Sequence, residues 1–204
     1  MTTRPPSTRG EYARSAARRR EIIDAAVEVF STAGFHKGSL RDVAERAGLS
    51  QAGLLHHFPS KYHIIEAVLT WRDTHAREAI DEAAREGGLT HIRALIDLIE
   101  SNQRDSPTLT ELYAVLSADA TSRDHPVHDY FDQRYAWVLA SVEKSFQEIA
   151  AAGQLRDGVE PADAARWMVA LIDGLQIQWL YDRAAVDMAE EIRRFLQTLL
   201  TVEL

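Results

Sequence analysis

The chain of 204 residues contains no cysteine, which excludes disulfides and thiolate metal sites and agrees with a reducing compartment. No apolar run approaches the length of a membrane span, and the arginine-rich N-terminus leads into no hydrophobic signal region. A cytoplasmic protein without membrane contact is therefore expected. No stretch alternates apolar and polar residues as a half-buried strand does, and neither an internal repeat nor a coiled-coil heptad is present. A Gly-rich phosphate loop, a GxSxG turn and an HExxH helix are also missing, so no enzyme is expected and no cofactor is implied. The eight histidines gather most densely at His125 and His128, with Asp124, Asp129 and Asp132 nearby. Pro126 stands between the two at a helix start, which works against a shared coordination geometry, and no metal site is assigned.

What is present is an ordinary globular composition, 46% hydrophobic and 26% charged, in a chain long enough for one or two domains. The net charge of −8 is unevenly spread: residues 1–61 carry +4 and residues 62–204 carry −12. A basic head on an acidic body suits a polyanion-binding module joined to something else, because only the docking face needs positive potential.

The stretch from Ser39 to Lys61 carries the most functional information. Leu40, Val43, Ala44 and Ala47 share one helical face, with Arg41, Asp42, Glu45 and Arg46 turned outward. Ser39 is an N-cap with Asp42 three residues on, in the place of a capping-box partner. Gly48 can take the left-handed conformation that ends a helix, and Ser50 caps a second short helix from Gln51 to about Phe58, which Pro59 breaks. Leu54, Leu55 and Phe58 are expected to face inward, leaving Gln51, Ala52, Gly53, His56 and His57 for the outside or the flanks. Two short helices joined by a three-residue turn read as a helix-turn-helix, although each of these residues singly also fits a plain helical hairpin in a core.

The run GFHKGSLRDVAERAGLSQAGLLHHFPSK resembles the TetR family of bacterial transcription regulators: Gly-aromatic, Ser/Thr, -AxxAGxS-, then -HF-x-(S/N)K-. The motif-bearing likeness covers about residues 14–70, and DGLQIQWLYD looks like the penultimate helix of some members. Many members carry two adjacent tyrosines where this chain has Leu55 and His56, so the phosphate contact of the first tyrosine is not carried over to Leu55. The resemblance implies an all-α homodimer, with an N-terminal three-helix DNA-binding domain and a C-terminal bundle enclosing a cavity for a small molecule that releases DNA.

Taken in order, residues 1–13 hold two prolines and scattered arginines and are expected to form a flexible basic arm, with Arg4 and Arg9 available to DNA. A helix from about Arg14 to Ala33 follows, its first turns crowded with Arg14, Arg18, Arg19 and Arg20, candidates for a phosphate backbone or a plain solvated face. The helix-turn-helix domain is placed at residues 14–61 and a ligand-binding and dimerisation domain at 62–204. Helices are expected from Ser60 to about Arg85, Leu89 to Arg104, Thr108 to Thr121, Pro126 to Ala152, Pro161 to Asp182 and Asp187 to Thr201, about nine in all.

Within the helix-turn-helix, Gln51 and His57 are expected to read base edges, while Lys61, Arg41 and His56 position the backbone. Ser39, Ser50, Ala52 and Gly53 complete the DNA-facing set. In the second domain, Trp71, His75, Tyr113, Phe131, Trp137, Met168, Gln176 and Trp179 are candidates to line a cavity for an apolar or amphipathic ligand, since core packing explains most aromatics but a helical bundle also lines pockets this way. The helix of residues 161–182 is apolar around much of its circumference. One monomer covers only one side, so Leu171, Gly174 and Ile177, with Phe195 and Leu199 of the last helix, are expected at a two-fold interface.

Three function classes compete on these observations. A ligand-responsive repressor on a pseudo-palindromic operator explains the motif, the charge split and the apolar helix together. A DNA-associated interaction protein needs no cavity, and a helical metal-dependent enzyme needs a constellation that is not found.

Overall fold

A computed structural model describes residues 8–204, the side chains of 8–11, 35, 36 and 79 excepted. The described residues form nine α-helices and no strand. They are α1 (Thr8–Lys37), α2 (Leu40–Arg46), α3 (Gln51–His57), α4 (Lys61–Glu86), α5 (Gly88–Asp105), α6 (Pro107–Asp119), α7 (His128–Ala151), α8 (Pro161–Tyr181) and α9 (Met188–Gln197). Two compact units divide the chain, residues 1–71 and 72–204, so α4 belongs to both. The division lies ten residues beyond the expected 61/62 boundary. Ile64, Ile65, Val68 and Leu69 of α4 are fully buried within the first unit, which draws the start of the helix into it.

The basic arm requires correction over residues 8–13. These residues are the first turns of α1, whose run of Ala, Arg and Glu favours helix from Thr8 onward. Arg4 lies outside the described residues, as does the side chain of Arg9. The helix is interrupted at Gly34, with φ 74 and ψ 172, where the sequence expects it to stop. Ile22, Ala26 and Phe30 bury its apolar stripe against α2.

The second unit is a bundle in which α5, α7, α8 and α9 share one core, with Ile92, Phe146, Met168, Ile192 and Leu196 at its centre. Gly88 makes the α5–α7 packing possible: a Cβ at this position would stand 2.1 Å from the Ser145 carbonyl oxygen. A glycine that falls between two helices expected from the sequence is therefore a point of backbone approach. The final helix is shorter than expected, since α9 ends at Gln197 and the chain turns back to form an isolated antiparallel bridge between Leu155 and Leu200.

His91 of α5 is 2% exposed, and its Nδ1 lies 2.6 Å from the Ser145 hydroxyl. Burial pushes its pKa below the ordinary 6.5. A depressed histidine pKa stabilises the fold above the unfolded value, and that stability is lost as pH falls, because the unfolded chain takes up a proton that the buried ring resists. Chemical denaturation followed from pH 7.5 to 5 is expected to show falling stability below about 6.5, with a shallower fall in His91→Gln. Equal slopes in the two proteins would contradict this role for His91.

Candidate nucleic-acid interface and internal cavity

The helix-turn-helix is held by its caps. Ser39 Oγ accepts from the Asp42 N–H at 3.2 Å and Asp42 Oδ2 accepts from the Ser39 N–H at 3.1 Å, which completes the capping box despite the short acid. The Ser39 hydroxyl, which donates to Asp42 Oδ2 at 2.6 Å, and the Ser39 N–H together hold the Asp42 carboxyl below its usual pKa. Gly48 adopts φ 65, and the Leu49 N–H donates to the Ala44 carbonyl at 2.8 Å, closing α2 in a Schellman-type turn. Ser50 Oγ then accepts from the Gly53 N–H at 3.1 Å and starts α3. Ser39 and Ser50 thus commit their hydroxyls to the helix ends, where the orphan N–H groups are.

Helix α3 has only seven residues and buries Leu54, with Phe58 just beyond its end. Leu55, expected inside, is 36% exposed. Two turns present one inward row, and the i, i+4 pair Leu54 and Phe58 fills it, so Leu55 joins the outer face with Gln51, Ala52 and His56. Gly53 and His57 are half-buried at the flanks, and Arg41 is exposed on α2. Lys61 is half-buried, with Nζ 5.7 Å above the Phe30 ring, and its burial lowers its pKa.

Arg19 has a role that the sequence does not single out. Its guanidinium donates to the His57 carbonyl at the C-terminus of α3 and stands 4.1 Å over the Phe58 ring. A cation at a helix C-terminus favours the helix dipole, so Arg19 fixes the end of α3. Its neighbour Arg18 pairs with Glu21 instead. Excess arginine at the start of α1 is the signal, but which one turns toward α3 depends on the fold.

The second unit encloses a cavity of about 140 Å³ between α4, α5, α6, α7 and α8. Of the candidate residues, Tyr113, Phe131, Trp137, Met168 and Gln176 line it. Three candidates stand elsewhere. Trp71 ends the first unit, His75 is exposed on α4, and Trp179 is 3% exposed in the bundle core, with the Arg183 guanidinium 4.8 Å over its ring.

One wall of the cavity is polar. Asp73 Oδ1 accepts from the Tyr113 hydroxyl at 2.7 Å and from Arg134 Nε at 3.3 Å, while Oδ2 accepts from the Tyr130 hydroxyl at 2.6 Å. Burial pushes the Tyr113 phenol up to about 12 and also raises that of Tyr130. Arg134 is likewise buried, but Tyr113 and Asp73 more than offset that cost and hold it firmly charged. Arg72 lies 4.4 Å over Tyr113, its pKa lowered by burial and by the neighbouring Arg134. Farther along the wall, Asp173 accepts from the Tyr135 hydroxyl at 2.9 Å, and burial raises its pKa.

The predicted dimer residues differ in exposure. Ile177 is 49% exposed, and nothing stands within 4 Å of a Cβ built on Gly174. Leu171 and Phe195 are half-buried and pack on the bundle core. Leu199 needs correction: it is 7% exposed within that core, because the turn after α9 folds it inward, and it offers little to a partner. Trp167, at 44%, and Tyr181, at 90%, lie on the open side of α8 instead. The histidines of the cluster at 125–128 bond locally, His128 Nδ1 lying 2.7 Å from the Ala120 carbonyl and His125 Nδ1 accepting from the Val127 N–H at 3.4 Å. Among the described residues no group of His and acidic side chains is arranged to hold a metal ion, and no helix is long and apolar enough to cross a membrane.

A capped helix presented after a left-handed glycine turn, with its polar face outward, defines the class of helix-turn-helix DNA-binding regulators. The family model for bacterial regulatory proteins of the tetR family matches residues 22–68, and the C-terminal model for BetI-type transcriptional repressors matches residues 84–202. The chain belongs to the TetR family. It is 34% identical over 124 residues to the transcriptional regulator RutR of Escherichia coli, covering 56% of this chain and 55% of that one. It is 30% identical over 133 residues to the repressor KstR of Mycolicibacterium smegmatis, covering 62% and 65%. The matches thus span somewhat more than half the length of these curated relatives. Among solved structures, a transcriptional regulator from Saccharomonospora viridis in complex with choline shares the fold, with a TM-score of 0.76 at 21% identity over 92% of this chain and all of that one.

Proposed function

We propose that the protein is a homodimeric transcriptional repressor that reads a pseudo-palindromic operator with α3 and is released by a small molecule held in the cavity of the second unit. The observation that carries this reading is the outer face of α3, where Gln51, Ala52 and His56 stand exposed on a helix fixed at both ends by Ser50 and Arg19. Gln51 reads a base edge, for which a bidentate contact to adenine is the natural chemistry. His56 and His57 flank it, while Arg41 and Lys61 hold the backbone. Gly53 keeps the helix surface low where it faces DNA. KstR, named a repressor, supports the sign of regulation.

A seven-residue helix makes few base contacts, and two-fold symmetry doubles them. The open side of α8 supports a second copy of the chain as the partner. Helix α4 is shared by both units and is the covalent route by which filling the cavity reaches the DNA-reading helices. Selecting bound fragments from genomic DNA and footprinting them tests the reading. Two inverted half-sites about one helical turn apart, or somewhat more, are expected. Protection of a single asymmetric site, or coating without preference, would overturn it.

Leu55 supplies a narrower expectation. An exposed leucine on a major-groove helix suits the C5-methyl of thymine. Replacing thymine by uracil at one half-site position is expected to weaken the wild-type protein several-fold and Leu55→Ala hardly at all. Equal effects on both proteins would remove Leu55 from the reading face.

A further inference from the structure

We propose that the cavity of the second unit takes a small monocarboxylic acid with an apolar body, its carboxylate set against the Arg72 guanidinium. This inference rests on the ligand-responsive reading above and names the chemical class of the ligand.

The two guanidinium groups on the cavity wall are unequally partnered. Two guanidinium groups, of Arg72 and Arg134, stand 4.4 and 4.7 Å from the centre of the same Tyr113 ring. One carboxylate, Asp73, lies beside them, and its oxygens are already engaged by Arg134, Tyr113 and Tyr130. Arg72 lines the cavity and forms no ion pair among the described residues. A half-buried guanidinium with five donors that faces a void is complementary to a carboxylate, which accepts from it through two parallel hydrogen bonds.

The remainder of the wall sets the body of the ligand. Leu95, Ile99, Val138, Met168, Val169 and Ile172 make it apolar. The free volume, about 140 Å³, is close to that of an engineered cavity that accepts benzene, so a single ring or a short alkyl chain fits and a long acyl chain does not. The other carboxylate on the wall, Asp173, already accepts the Tyr135 hydroxyl. An ammonium ligand seated there would find both wall carboxylates already engaged, Asp73 by Arg134, Tyr113 and Tyr130 and Asp173 by Tyr135, and would face two guanidinium groups.

The test uses the full-length protein and calorimetric titration with 3-phenylpropanoate and hexanoate. Each is compared with its amide and its amine, and choline is added as a quaternary cation. The acids are expected to bind roughly 10- to 100-fold more tightly than the amides, as a charge-assisted pair in a dry site implies, with no measurable binding of the cations. Arg72→Met keeps an apolar stem over Tyr113 and is expected to abolish the preference for acid over amide. Binding of the amines or choline as tightly as the acids, binding of no acid, or unchanged acid affinity in Arg72→Met would overturn the inference. If Arg72→Met does not fold, the acid and amide series on the native protein decides alone. Release from operator DNA is measured separately. Acids that bind without releasing DNA refute the ligand-responsive reading and leave this site standing, whereas release by neutral compounds with no acid preference does the reverse.

Discussion

Replacing Asp73 with alanine is expected to destabilise the second unit by about 3–5 kcal/mol, the cost of removing one partner from a buried ion pair. The Asp73 side chain is 13% exposed and takes three hydrogen bonds, from Tyr113, Tyr130 and Arg134, which come from α6 and α7. Without it two guanidinium groups remain close together with no carboxylate between them, and two phenols lose their acceptor. Asp73→Asn keeps an acceptor oxygen but removes the charge, and an intermediate loss is expected. Urea denaturation followed by the fluorescence of Trp137 and Trp179 measures both. A loss below about 1 kcal/mol in Asp73→Ala, the range of an exposed pair, would mean that water screens the network.

Ile177→Glu is expected to turn the proposed dimer into a monomer and to weaken operator binding by roughly 10²–10⁴-fold, the avidity given up when two linked contacts become one. Trp167, Leu171, Gly174, Ile177 and Tyr181 recur at three- and four-residue spacing along α8, so they form one stripe. Trp167, Ile177 and Tyr181 are exposed, and the space above Gly174 is open. Such a stripe is more apolar than solvent-facing helices usually are, and in the proposed dimer a second copy of α8 would cover it with close approach at Gly174. Ile177 is a cleaner site for this test than Phe195, which packs on the bundle core and would unsettle the fold as well. Light scattering and a gel-shift titration read the two effects. A variant that stays dimeric, or a native protein that is monomeric at micromolar concentration, would refute this interface.

How much of the molecule was legible depended on how far apart in sequence the cooperating residues lie. The helix-turn-helix was readable because its caps and turn are local: Ser39 with Asp42, Gly48 with Leu49, Ser50 with Gly53 each act within a few residues. Leu55 was misplaced because apolar character alone sends a residue inward, whereas a two-turn helix has only one inward row. The close approach of Gly88 is not legible in the sequence because the backbone it meets, at Ser145, is far along the chain. Of the polar wall around Asp73, only Tyr113 is singled out in the sequence. Asp73 reaches Tyr113, Tyr130 and Arg134 across separations of 40, 57 and 61 residues, and in sequence each looks like a surface charge or a core aromatic. Aromatic content points to a cavity, and Tyr113, Phe131 and Trp137 line one, but the buried Trp179 shows that a large side chain is core as readily as lining.

The claim that α3 reads sequence is tested most directly by titrating the native protein and Gln51→Ala against every single-base variant of a selected operator half-site. Gln51→Ala is expected to lose about 1–3 kcal/mol on the native operator and to lose discrimination at one base pair while keeping it at the others. A loss spread evenly over all variants would contradict base reading by this helix.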